Sequence, residues 1–84
     1  MMSPYDAAKA VKKAEPSRTP TYVCDYDSSL YIVTALRDPK KPEYADPFWS
    51  VNKRTGKVQH FSPAGDLEKF GNAMNNRGHE IHGI

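Results

Sequence analysis

Only one cysteine, Cys24, occurs in the 84 residues, so no disulfide can form within the chain. A secreted domain of this size ordinarily carries several, and the expected setting is a reducing cytoplasm. No apolar run approaches the ~18 residues that a membrane-spanning helix needs, so no membrane partner is expected. Charge of one sign is also scarce. Twelve Lys and Arg face ten Asp and Glu, a formal balance of +2. Nucleic-acid binders ordinarily concentrate a basic face, and the composition alone does not point there. Glycine is sparse and scattered, at 56, 65, 71, 78 and 83. No glycine-rich loop that could cradle a phosphate can be built from it. The start, Met1-Met2-Ser3-Pro4-Tyr5-Asp6, lacks the basic stretch and apolar core of a secretory signal.

Proline, by contrast, is plentiful. Seven prolines, at 4, 16, 20, 39, 42, 47 and 63, cut the chain into segments. The length suits a single domain spanning 1–84. Ser3 can cap a helix, Pro4 suits its first position and Asp6 completes the capping pattern. Val11 with Ala7 and Ala14 forms a thin apolar stripe that needs a sheet to lie on. These signals predict a helix over 3–15, ended by Pro16. Residues 16–20 read as a linker, and 21–61 as a sheet.

Tyr22, Cys24 and Tyr26 alternate with Val23 and Asp25, which is strand periodicity. Asp27-Ser28-Ser29 is a turn signal. Leu30-Tyr31-Ile32-Val33-Thr34-Ala35-Leu36 is apolar on both faces, as a central, covered strand would be. Residues 37–47 form a polar loop in which Pro39, Pro42 and Pro47 forbid a helix. Two alternating runs then flank Asn52-Lys53-Arg54-Thr55-Gly56, a hairpin signal. A four-residue turn, Lys53 to Gly56, sets Val51 opposite Val58 and Trp49 opposite His60. A three-residue turn would misalign the apolar faces, so the longer turn is expected. Leu67, Phe70, Ala73 and Met74 recur at helical spacing, and a second helix is expected over 63–76. The tail, 78–84, has no periodicity and reads as flexible. The resulting class is α+β: a small antiparallel sheet of three to four strands with an N-terminal and a C-terminal helix.

The chemistry-bearing residues do not converge. His79, His82 and His60 invite a metal reading, but with only Glu80 and Cys24 as further donors no metal site or other cofactor is expected. Cys24 lies in a strand between two tyrosines, where a lone cysteine fills core space, so it is not expected to act as a nucleophile. Asp25 and Asp27 fall short of the oxygen ligands of a calcium loop. No catalytic residues are expected, and the chain reads as non-enzymatic.

Two surfaces remain. Tyr44, Phe48 and Trp49 lie beside the proline-rich loop, ringed by Lys40, Lys41 and Glu43. Aromatics left exposed there would anchor a protein partner. Trp49 and Phe70 also suit the core of so small a fold. Lys53, Arg54 and Lys57 cluster at the hairpin tip, and a basic β-ribbon can contact nucleic-acid phosphates. That is the alternative partner class.

The stretch Asp46-Pro47-Phe48-Trp49-Ser50-Val51-Asn52-Lys53-Arg54-Thr55-Gly56-Lys57-Val58, with Phe61-Ser62-Pro63 after it, resembles a hairpin of small phage and prophage proteins and of bacterial toxin-immunity domains. The likeness covers a quarter to a third of the chain and carries over no catalytic residue. It implies a protein that binds another protein, in the host cytoplasm or in a virion. The expected function is therefore protein binding. Nucleic-acid binding is the alternative. A structural virion or assembly role, with helix 1 docked on a neighbouring copy in a homo-oligomer, is a further one.

Overall fold

The computed structural model describes residues 2–84. Helix α1 spans Pro4–Ala14. The strands are β1 (Thr19–Asp25), β2 (Leu30–Leu36), β3 (Phe48–Asn52), β4 (Val58–His60) and β5 (Gly78–Glu80). A short 3-10 turn at Pro63–Gly65 precedes helix α2, Leu67–Asn76. All strand pairs are antiparallel, in the order β4-β3-β2-β1-β5. The class is α+β, with five strands where three to four were expected.

Helix α1 starts as its sequence directs. Asp6 N–H donates to Ser3 Oγ at 3.1 Å, and Ser3 N–H donates to Asp6 Oδ2 at 3.0 Å. This reciprocal pair satisfies two donors that the helix end would otherwise orphan. Ala7, Ala8 and Val11 are fully buried, while Ala14, expected in the stripe, is exposed. The two alanines let the helix lie close to the sheet, and Val11 contributes about 1.5–3 kcal/mol by burial.

Strand alternation divides the core in two. Val23, Tyr31, Val33, Ala35, Trp49 and Val51 face α1. Cys24, Tyr26 and Ile32 face the other way, towards Ala73, Phe70 and Met74 of α2. The sheet is thus covered on both faces, and β2 is its central strand. Aromatic edges complete the α2 side: Phe48 meets Phe70 at 4.9 Å between centroids, and Tyr26 meets Phe61 at 5.2 Å. Leu67, in the first turn of α2, is 66% exposed and does not join the helix face that packs on the sheet. The hairpin has the expected register, Val51 opposite Val58 and Trp49 opposite His60.

Two segments depart from expectation. The first is the linker. Strand β1 begins at Thr19, with buried Pro20 inside it. A proline is tolerated there because the ladder is irregular between Pro20 and Tyr22, and β5 pairs only from Tyr22 onward. The second is the tail. Residues Gly78–Glu80 form an edge strand on β1 rather than a flexible end. Tyr22 Oη donates to Met74 O at 2.9 Å, near the end of α2. The Tyr22 ring lies where a Cβ at position 78 would stand, so only glycine fits. The chain then runs on with Ile81 and Ile84 packed against the α1-side core.

Candidate interaction site

The β2–β3 connection, residues 37–47, is anchored at both ends and in its middle. Ala35 N–H donates to Pro47 O at 3.0 Å and closes its base. Asp38 Oδ1 accepts Lys40 N–H at 2.9 Å, and Asp38 O accepts Lys41 N–H at 3.0 Å. This local turn needs an Asp, whose short side chain can reach its own backbone.

Glu43 latches the middle. Its Oε2 lies 2.7 Å from Arg18 Nη1, and its Oε1 accepts Arg37 N–H at 3.2 Å. The Arg18 guanidinium donating to it holds the Glu43 carboxyl below the usual carboxylate range. The same Arg18 nitrogen donates to Ala35 O at 3.0 Å, and the guanidinium stacks 4.8 Å above the Trp49 ring. Arg18 therefore joins β1, β2, β3 and the loop through one planar group. The distal end is held by Asp46, the one described non-glycine residue with a left-handed φ, 43°. Aspartate tolerates that region better than most residues. Asp46 O accepts from His60 Nε2 at 2.8 Å, so that nitrogen carries the proton. Ser62 Oγ donates to Asp46 Oδ2 at 3.2 Å.

Tyr44 stands between these two anchors and is 91% exposed. Lys40 and Lys41 are exposed beside it in sequence. The other proposed anchors are not on this surface. Trp49 is only 8% exposed, under Arg18 on the α1 side. Phe48 is half-buried on the opposite face of the sheet, against Phe70. Neighbouring strand residues point to opposite faces, so the two cannot share one surface. Glu43 is likewise engaged within the fold, its carboxylate held by Arg18 and the Arg37 amide.

At the hairpin tip, Asn52 Oδ1 accepts both Arg54 N–H and Thr55 N–H at 2.9 Å, which shapes the turn. Gly56 supplies its positive φ of 76°. Lys53 folds inward. Its ammonium pairs with Asp25 Oδ1, donates to Asp27 O and lies 4.7 Å above the Tyr31 ring. Only Arg54 and Lys57 of that basic trio remain exposed.

Cys24 is fully buried, and burial pushes its thiol up to about 11. A thiol so shielded is a core filler. No three His, Cys, Asp or Glu side chains among the described residues converge as a metal site would require. No helix among them is long and apolar enough to cross a membrane. Local sequence carries no signal for Arg18 as a latch or for His60 as the partner of Asp46. Arg18 stood in an expected linker, 25 positions from Glu43. No protein-family model, curated protein or solved structure matches the chain.

Proposed function

We propose that the chain is a non-enzymatic module that binds a protein partner through the β2–β3 loop, with Tyr44 as anchor and Lys40 and Lys41 at its rim. One observation carries this reading: a 91% exposed tyrosine on a loop latched by Glu43 and Asp46. Tyrosine offers a large amphipathic contact with few rotatable bonds, and a loop held in place loses little entropy on binding. The burial of Cys24 counts against nucleophilic use. The hairpin's likeness to those of small phage, prophage and toxin-immunity proteins supports a role in the host cytoplasm or a virion.

Nucleic-acid binding at the hairpin tip has weaker support, because Lys53 is engaged by Asp25. An assembly role for α1 also has weaker support, because its buried stripe is covered by the chain's own sheet.

The test is affinity capture from host lysate with the tagged chain, Tyr44→Ala, and the double variant Arg54→Ala/Lys57→Ala. Each is run with and without nuclease and at two salt concentrations. The expected result is a protein that resists nuclease, stays with the double variant and is lost with Tyr44→Ala. Recovery that nuclease abolishes, or that only the double variant loses, would overturn the reading in favour of nucleic acid at the tip.

A further inference from the structure

All six Asp side chains are engaged within the fold, whereas the bases of the β2–β3 loop are not. Asp6 and Asp66 cap the two helices. Asp25 and Asp27 pair with Lys53 and Lys69. Asp38, Glu43 and Asp46, the three carboxylates of the β2–β3 loop, all accept hydrogen bonds from within the fold. The loop's three cations are Arg37, Lys40 and Lys41, and among the described residues their side chains pair with no carboxylate and donate no hydrogen bond within the chain. Formal charges in the loop balance, but Arg18 already neutralises Glu43. What the loop presents outward is then three cationic donor groups and the Tyr44 hydroxyl, itself a donor to any carboxylate, against the single exposed carboxylate of Asp38.

We infer that the loop's partner is an acidic protein segment, whose Asp or Glu carboxylates surround a site that receives the Tyr44 ring. This rests on the loop being the binding surface. Donor-rich side chains call for an acceptor-rich, anionic complement, which steers encounter and fixes register. A nucleic acid is the poorer complement. Its phosphates recur every few ångströms and reward a continuous cationic track. Here the exposed bases are scattered over α1, the loop, the hairpin tip and α2, and the loop and the tip lie at opposite ends of β3.

The experiment pans a random peptide library against the immobilised full chain, then measures recovered peptides by fluorescence polarisation. Peptides rich in Asp and Glu are expected. Their affinity should fall at least ~10-fold with Lys40→Glu/Lys41→Glu, and much less with Arg54→Glu/Lys57→Glu. Tyr44→Ala should weaken them as well. Neutral or basic peptides that still require Tyr44 would overturn the acidic partner and leave the loop as the binding surface. Peptides indifferent to both Tyr44→Ala and the Lys40/Lys41 reversal would overturn both. Tighter binding of an oligodeoxythymidylate than of any peptide, lost on the same lysine reversal, would overturn the acidic segment in favour of nucleic acid at this loop.

Discussion

The β2–β3 loop and the β3–β4 turn both expose basic side chains and are separated by a five-residue strand, yet they fix themselves with charges of opposite sign. In the loop the structural charge is a carboxylate, Glu43, held by Arg18. In the turn it is an ammonium, Lys53, held by Asp25, Asp27 O and the Tyr31 ring. The loop consequently leaves its lysines and Tyr44 outward, and the turn draws one of its three bases inward. Local composition does not decide which charges a partner can meet. The long-range counter-ion decides it.

The largest way to break this comparison is to remove the shared group. Arg18→Ala deletes the pair with Glu43, the hydrogen bond to Ala35 O and the stack on Trp49 together. We expect a loss of about 1–3 kcal/mol, since the carbonyl of the fully buried Ala35 loses this donor. The urea midpoint should fall at constant m, and Arg37 and Ala35 amides should exchange faster. Unchanged exchange there would mean that Arg18 does not hold the loop. The matching change in the turn, Lys53→Met, keeps an apolar side chain of similar length and removes the ammonium with its contacts to Asp25, Asp27 O and the Tyr31 ring. Its Asp25 partner is 43% exposed, so the loss should be about 0.5–1 kcal/mol. A cost equal to that of Arg18→Ala would erase the difference between the two connections.

Acid sharpens the contrast at a smaller scale. The Glu43 carboxyl titrates below its ordinary value in the folded chain because it accepts from Arg18. Its contribution is therefore present above the unfolded-state value and is lost as pH falls through the lowered one. Below that pH the Arg37 amide, which donates to Glu43 Oε1, should lose protection in NMR hydrogen exchange while Val33 in β2 keeps its own. Loss at both amides in one step would show that the latch and the sheet open together.

Much of the fold could be read locally, and the reasons are instructive. Leu30–Leu36 reads as a central strand because both faces are apolar, and it is central. The hairpin register follows from matching Val51 with Val58. What escaped depends on distant partners. Strand β5 has no periodicity of its own and forms where Gly78 admits the Tyr22 ring. Pro20 enters β1 because no strand pairs with the edge it faces. The site was half legible. Proline content marks the loop, and proximity in sequence places Phe48 and Trp49 beside Tyr44, but strand alternation sends the two to opposite faces of the sheet. Arg18 carries no local signal at all.

The smallest expected effect on stability separates anchoring from folding most cleanly. Tyr44 is 91% exposed and makes no hydrogen bond to the described chain, so Tyr44→Ala removes almost nothing from the folded state. Its unfolding free energy should stay within about 0.5 kcal/mol of the parent. Arg18→Ala disturbs the fold and the loop together, so any binding it loses has two explanations. Tyr44→Ala leaves only one. With an unchanged melting curve and unchanged amide protection at Arg37, a fall in partner affinity must come from the missing ring. If affinity holds while Tyr44 is absent and the loop is intact, the latch formed by Arg18 and Glu43 serves the fold alone, and the binding surface lies elsewhere on the molecule.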